Sequence, residues 1–137
     1  MSSDGMSFQL VQNALAAANL RQQVYANNIA NADTPGFKRS DVQFENLLAE
    51  AMNNSGPQAL GQNQIPIGGS GSLNLAGALG VQPKVVTDTT SAVDSNGNNV
   101  NIDDEMVSLA ENQLRYNTLA QDLTLRLGML KTAINGG

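Results

Sequence analysis

Apolar residues recur every three or four positions along the first long stretch of the chain, over about 7–32. Read as a heptad that starts at Phe8, the inward positions are apolar or aromatic with the single exception of Gln22. This spacing is typical of a helix that packs one face against another helix. At 1.5 Å per residue such a helix would be roughly 39 Å long. The predicted inward positions are Phe8, Val11, Leu15, Ala18, Gln22, Tyr25, Ile29 and Ala32.

The end of the chain carries a second stretch with the same period. Asp103 is its predicted N-cap, and the helix would run over about 104–134, because the Asn-Gly-Gly at 135–137 supplies a stop. The two seams predict that the terminal helices pair along their inward faces. The predicted inward positions of the second helix are Met106, Leu109, Gln113, Tyr116, Ala120, Leu123, Leu127, Leu130 and Ile134.

Between the two helices the pattern is weak, and Gly, Asn, Gln and Ser are frequent. Such a composition buries too little apolar surface to offset the entropy of ordering the chain. A short extended segment is predicted over 37–44, a short helix over 44–53 and one strand through 85–87.

The predicted fold is therefore mainly α. Long N- and C-terminal helices pair as a coiled-coil-like core, with a short extended or β segment and a loop-rich middle. The predicted segments are an N-terminal helix and turn (1–36), a short extended segment and helix (37–53), a flexible loop-rich middle with one short strand (54–100) and a C-terminal helix (101–137).

Composition narrows the function. The 137 residues include no Cys and no His, which excludes a Ser-His-Asp triad, a Cys-His pair and a His/Cys zinc site. A net charge of −5 with scattered basic residues does not suit nucleic-acid binding. We expect no enzyme activity, no cofactor, no metal and no small-molecule substrate. The N-terminal stretch lacks the basic and apolar regions of a cleaved signal peptide, and no apolar run is long enough to span a membrane.

The most informative local feature is the string ANNIANADTPGFKR at 26–39, where a polar helix end meets an abrupt stop. Pro35 disfavours the helical conformation at Thr34, and Pro-Gly fits the centre of a type II turn. The three Asn residues can bond carbonyls at the helix end or reach a neighbouring helix. On spacing alone the string is a helix stop.

The string itself resembles the N-terminal signature of the bacterial flagellar axial proteins, which are the rod, hook and hook-associated proteins. The short chain, together with the sequence at 95–121, is similar to the short rod proteins of the proximal basal body. The resemblance covers about 1–50 and 95–137, and the middle of the chain matches nothing.

The resemblance implies a structural subunit that leaves the cell by flagellar type III export without a cleaved signal. It would polymerise into the basal-body rod in the cell envelope. The implied partners are copies of itself, rod proteins of the C, F and G types, the hook–basal-body protein E, the membrane ring and the export gate. The residues expected at subunit interfaces are Phe8, Val11, Leu15, Tyr25, Asn27, Asn28, Ile29, Asn31, Pro35, Gly36, Phe37, Lys38, Met106, Leu109, Tyr116, Leu123, Leu127, Leu130 and Ile134.

Two alternatives stay open on the sequence. One is another short rod protein of the C type, and the other is a secreted coiled-coil adaptor unconnected with the rod. An adaptor would be soluble as a defined oligomer, and its residues 27–36 would tolerate substitution.

Overall fold

The computed structural model describes residues 3–53, 64–67 and 71–136, and the chain is mainly helical. The prediction of a mainly α fold with paired terminal helices is confirmed. Much of the predicted flexible middle, at 54–63 and 68–70, lies outside the described residues. The elements in chain order are α1 (Ser3–Ala30), β1 (Ser40–Gln43), α2 (Glu45–Asn53), β2 (Gln64–Ile67), β3 (Gly71–Asn74), α3 (Leu75–Leu79), β4 (Lys84–Thr87) and α4 (Ile102–Ile134).

The two long helices, α1 and α4, pack against each other in antiparallel directions. Asn28, near the end of α1, donates to Glu105 at the start of α4 at 3.0 Å. Further along, Asn112 donates to the carbonyl of Ala18 at 2.8 Å. The 28 residues of α1 give the pair a length of about 42 Å.

The seam between the helices differs from the predicted one in both helices. In α1, Arg21, Val24 and Asn28 are buried, and the predicted Gln22, Tyr25 and Ile29, one position further on, are only half-buried. At the end of α4, the predicted Leu127, Leu130 and Ile134 are exposed.

The start of α4 shows the same displacement by one residue. Glu105 and Asn112 are buried there, whereas the predicted Met106 and Gln113, one position further on, are exposed. The small side chains of Ala17 and Ala18 allow a close approach, and polar groups that bridge the helices occupy the contact. The predicted inward residues Leu109, Tyr116, Ala120 and Leu123 are half-buried, as expected for the edge of this seam.

The N-cap of α4 is Asn101, and the prediction of Asp103 was wrong. The Asn101 side chain accepts hydrogen bonds from the amides of Asp103 at 3.1 Å and Asp104 at 3.4 Å. Asn101 can do so because its backbone is extended, with φ −97° and ψ 108°, as an N-cap requires. Asp103 lies instead in the acidic first turn, where it faces the positive end of the helix dipole.

The described part of the chain has two small sheets: the β1–β4 sheet packs against α1, and the β2–β3 sheet packs against α2 and α3. β1 and β4 are antiparallel, with Val42 opposite Val85, so the predicted extended segment and strand do pair. Phe44, 3% exposed, anchors the start of the predicted short helix α2, and its carbonyl accepts from Leu48. The hairpin formed by β2 and β3 and the short helix α3 were not predicted. Across the part of the chain that the structure describes, no helix has the length and hydropathy of a membrane span.

Candidate functional site

The first helix ends in the predicted type II turn. Phe37 donates its amide to the carbonyl of Thr34 at 3.2 Å, and Gly36 has φ +74°. A second glycine, Gly97 with φ +81°, lies directly against it: a Cβ on Gly97 would be 3.5 Å from the Gly36 Cα. Gly36 also donates its amide to the carbonyl of Asn96 at 2.9 Å. The turn therefore contacts the loop that precedes α4.

Asn98 binds the turn that follows α1 from a distant part of the sequence. Its fully buried amide donates to the carbonyls of Asn31 and Thr34, both at 2.8 Å. Its own oxygen accepts from the amide of Val100 at 2.7 Å. These bonds add to the backbone bonds that the two carbonyls accept from Thr34 and Phe37, and they hold the turn against the loop before α4.

Asn28 occupies the free edge of β1. Its oxygen accepts from the amide of Ser40 at 3.0 Å, and its nitrogen donates to the carbonyl of Ser40 at 2.8 Å. The same nitrogen donates to the Glu105 carboxylate at 3.0 Å. Asn28 is 1% exposed. Its two bonds to the backbone of Ser40 are those that a neighbouring strand would make, and its bond to Glu105 joins β1 to α4.

Glu105, 2% exposed, is a buried carboxylate held by two donors. The guanidinium of Arg39 donates to it at 2.5 Å, opposite the bond from Asn28. Burial is the largest single influence on the pKa of Arg39 and lowers it, but the hydrogen bond to Glu105 and the negative charges of Glu105, Asp41 and Asp88 together outweigh burial, so the pKa is raised. Removal of either partner would leave a buried or half-buried charge without compensation, which is strongly destabilising.

Asn99 completes this arrangement on the side of β4. Its oxygen accepts from the Arg39 amide at 2.7 Å, and its nitrogen donates to the carbonyl of Asp88 at 2.8 Å. Hydrogen bonds from Ser91 and then Thr90 hold the pKa of the Asp88 carboxyl well below its usual range. We call the set of five buried or half-buried polar residues the clamp: Asn28, Arg39, Asn98, Asn99 and Glu105.

A second set of ion pairs, which we call the brace, joins the two long helices near the middle of their contact. It consists of Arg21, Glu45 and Arg115. The guanidinium of Arg21 binds the Glu45 carboxylate in a two-pronged manner, with one arm at 2.9 Å, and also reaches the carbonyl of Val42 at 3.3 Å. Arg115 of α4 binds the same carboxylate at 3.2 Å. The hydrogen bond from Arg21 is the main reason that the pKa of Glu45 is lowered. Glu45 thereby connects α1, α2 and α4.

One buried polar atom near this brace lacks a partner. The side-chain oxygen of Asn112 makes no hydrogen bond within the described residues, although its nitrogen bonds to Ala18 and Gln22. Such an atom costs roughly 1–3 kcal/mol.

That far end is apolar and open to solvent. Leu127, Leu130 and Ile134 are 49%, 44% and 83% exposed. Phe8 at the start of α1 lies across a cavity of about 270 Å³ from Met129 and Leu130. We call residues 125–134 the helix tip; its other exposed apolar side chains are Leu125 and Met129.

The predicted interface residues fall into three groups. Asn28 is buried and its side-chain polar groups are bonded within its own chain, and its place at a subunit interface stays a prediction. Lys38 donates to the carbonyl of Gly97 instead of projecting to a neighbour. The exposed residues are Asn27, Pro35, Gly36, Met106, Leu127, Leu130 and Ile134, and the half-buried ones are Phe8, Val11, Leu15, Tyr25, Ile29, Asn31, Phe37, Leu109, Tyr116 and Leu123.

Sequence reasoning missed most of the clamp. The pattern of apolar residues assigned no role to Asn98, Asn99 or Glu105. The available signal was the pair of adjacent Asn residues shortly before the N-cap Asn101, and this pair does not distinguish a buried polar contact from an ordinary surface turn. Among the described residues, no group of acidic side chains is arranged to hold a metal ion.

Comparison with known proteins gives this arrangement its context. A family model described as flagella basal body rod protein matches residues 8–38, which span most of α1 and the turn. Flagellar basal body rod protein FlgB of Bacillus subtilis (strain 168) is 32% identical over 137 residues, which cover 100% of this chain and 99% of the relative. FlgB of Borrelia hermsii is 42% identical over 114 residues, or 81% of this chain and 82% of the relative.

FlgB of Borreliella burgdorferi is 38% identical over 110 residues, or 77% of this chain and 78% of the relative. The chain therefore belongs to the FlgB family of flagellar basal body rod proteins. The family is structural, and the chain is a structural subunit of the rod.

Proposed function

We propose that this chain polymerises through its paired terminal helices to form the proximal part of the rod, the shaft that transmits torque from the membrane ring to the hook. The subunit contacts its neighbours in the rod and keeps its shape under load, and α1 and α4 are its axial elements. The clamp keeps the start of α4 fixed against β1, so that the helix pair transmits load as one body.

The observation that supports polymerisation is the exposed apolar surface of the helix tip. Leu127, Leu130 and Ile134 are large aliphatic side chains that remain in water on an isolated chain. An apolar patch of this kind on a soluble protein marks a contact surface. Full burial of each side chain at an interface is worth roughly 1.5–3 kcal/mol.

The partners in this proposal are copies of the chain, the rod proteins of the C, F and G types and the hook–basal-body protein E. A position near the membrane ring and export gate is supported by the similarity of the C-terminal block to proximal rod proteins, and by relatives named FlgB. Export without cleavage of a signal peptide belongs to the same proposal.

The test is made in a strain that lacks the chain. We expect swimming to be lost and electron microscopy of its basal bodies to show rings without a rod. The wild-type chain should restore both, whereas Leu127→Asp combined with Leu130→Asp should not, because the two carboxylates would have to be desolvated at the interface. A complete rod in the deletion strain would contradict the proposal.

A matched control separates assembly from folding. Gln121→Asp places the same side chain at an exposed position of α4 before the helix tip and should restore swimming. The Leu127→Asp, Leu130→Asp chain should keep its helical circular dichroism, since both leucines are exposed. Restoration of full swimming by this double variant would show that the helix tip is not a contact surface.

A further inference from the structure

Two Asn-Gly pairs occur in the chain, Asn96-Gly97 in the loop before α4 and Asn135-Gly136 directly after it. Asparagine is a thermolabile residue, and a following glycine has no Cβ to hinder its reaction. The backbone nitrogen of the glycine can bond to the side-chain carbonyl carbon of the asparagine. The amide proton and the side-chain NH2 group then leave together as ammonia. Water opens the resulting succinimide ring to aspartate or to isoaspartate, which has an additional carbon atom in the main chain.

The atoms that would react in the pair Asn96-Gly97 already form hydrogen bonds. The amide of Gly97, which would be the nucleophile, donates to the carbonyl of Asp94 at 2.9 Å. The side-chain oxygen of Asn96 accepts from the amide of Asn98 at 3.1 Å, and this bond fixes the side chain. Closure of the succinimide ring therefore requires the loss of the bond between Gly97 and Asp94.

The turn after α1 holds the backbone of the same pair. The carbonyl of Asn96 accepts from the amide of Gly36 at 2.9 Å, and the carbonyl of Gly97 accepts from the Nζ of Lys38. The next side chain, Asn98, is fully buried against the turn. Formation of the ring needs rotation of the backbone between Asn96 and Gly97, and these contacts oppose it. The exposed Asn96 is thus held by residues from a distant part of the sequence.

Asn135-Gly136 has no comparable support. Both residues are exposed, and the Asn135 side chain forms no hydrogen bond within the described residues. The amide of Gly136 donates to the carbonyl of Ala133 at 3.4 Å, which is longer than an ordinary hydrogen bond of this type. The chain therefore contains the same dipeptide twice, once held by distant residues and once held only by its own helix end.

We propose that Asn96 is a deamidation site, protected while the turn after α1 is closed against the loop before α4 and reactive when the chain is unfolded. Unfolded chains are the form in which chemical modification competes with folding. The additional main-chain carbon of isoaspartate would displace Gly97 from Gly36, where a Cβ on Gly97 would already lie 3.5 Å from the Gly36 Cα. A chain modified in this way while unfolded would then fail to close the turn contact. The chemistry is a property of the single chain and does not depend on the proposed rod function.

Deamidation rates at the two asparagines of the purified full-length chain provide the test. The chain is incubated in mildly alkaline buffer with and without concentrated urea, and peptides that contain Asn96 or Asn135 are quantified by mass spectrometry. In urea both sites should react at similar rates. In buffer Asn96 should react at least about tenfold more slowly than Asn135, because its reaction is limited to openings of the turn contact. Equal rates in buffer, or an Asn96 that stays unmodified in urea, would overturn the proposal whether or not the chain builds rods.

A substitution in the turn tests the source of the protection. Lys38→Met removes the bond to the Gly97 carbonyl, so deamidation of Asn96 in buffer should accelerate several-fold while the rate at Asn135 stays unchanged. Lys84→Met is the matched control, because Lys84 is exposed at the start of β4, and it should leave both rates as in the wild type. An unchanged rate at Asn96 in the Lys38→Met chain, or equal acceleration by both variants, would show that the turn does not protect the site.

Discussion

The clamp end and the helix tip of one helix pair are stabilised in different ways. At the clamp end, five polar side chains are buried or half-buried, and they hold α1, the small sheet and α4 in one arrangement. At the helix tip, large apolar side chains are exposed, and Met129 and Leu130 line a cavity together with Phe8 of α1. Polar groups with fixed partners give the chain a single conformation, and uncovered apolar groups give it affinity for other chains.

The largest effect on stability is expected at the buried carboxylate of the clamp. Glu105→Ala leaves Arg39 and Asn28 without their shared partner, and the free energy of unfolding should fall by about 3 kcal/mol. Urea denaturation followed by circular dichroism measures it. Glu111→Ala, at an exposed position of the same helix, should change stability by less than about 0.5 kcal/mol. Equal effects of the two substitutions would show that the buried partners of Glu105 do not stabilise the clamp end.

A smaller loss is expected when Asn98, which binds the turn after α1, is removed. Asn98→Ala takes one donor from each of the carbonyls of Asn31 and Thr34 and leaves the buried amide of Val100 without its acceptor, which should lower the free energy of unfolding by about 2 kcal/mol. Asn46→Ala is the control, because Asn46 is exposed at the start of α2. Hydrogen exchange should accelerate most at the C-terminal turn of α1, and uniform acceleration along α1 would contradict a local role of Asn98.

Replacement of glycine by alanine should lower the free energy of unfolding at Gly97 and raise it at Gly128. Gly97→Ala forces a side chain into a backbone with φ +81° and should destabilise the chain by about 1 kcal/mol. Gly128→Ala, in α4 near the helix tip with open space around it, should stabilise the chain by about 0.5–1 kcal/mol. Thermal unfolding of both variants gives the comparison, and a stabilising Gly97→Ala would show that the turn contact is not strained.

The smallest expected effect is the loss of stability at low pH when Glu45 becomes protonated. The pKa of Glu45 is lowered from its ordinary value of 4.5, so its ion pair with Arg21 contributes stability above that pH and loses it as the pH falls further. Glu45 has a 56% exposed side chain, which limits the contribution to less than about 1 kcal/mol. Glu45→Gln should reduce stability at pH 7 and match the wild type near pH 2. A constant difference between the two chains across this range would argue against the ion pair.

The sequence predicted the parts of the fold that have a local period. The spacing of apolar residues was sufficient for α1 and for most of α4, and Pro35-Gly36 was sufficient for the turn. The seam at the start of α4 was missed because Glu105 and Asn112 are polar, and a search for apolar positions selected their neighbours. Burial of a charged side chain is decided by partners elsewhere in the chain, and no local pattern contains them.

In the candidate site, too, the local features were predicted from the sequence and the long-range contacts were not. The string at 26–39 was recognised, but its role within the chain was not, because Asn28 and Lys38 find partners at Glu105 and Gly97. The hairpin at 64–67 and 71–74 was missed for another reason. Its strands are four residues each, and one contains Pro66, which counts against a strand in any local reading.

The bond between Asn28 and Glu105 joins residues that are 77 positions apart in the sequence. Closing so long a loop has an entropic cost that a local helix does not bear, and contacts of this type form late in folding. The helical bonds of α1 are local, whereas the clamp can close only when its residues from both sides of the chain's middle are present. Closure of the clamp therefore requires the chain as far as Glu105.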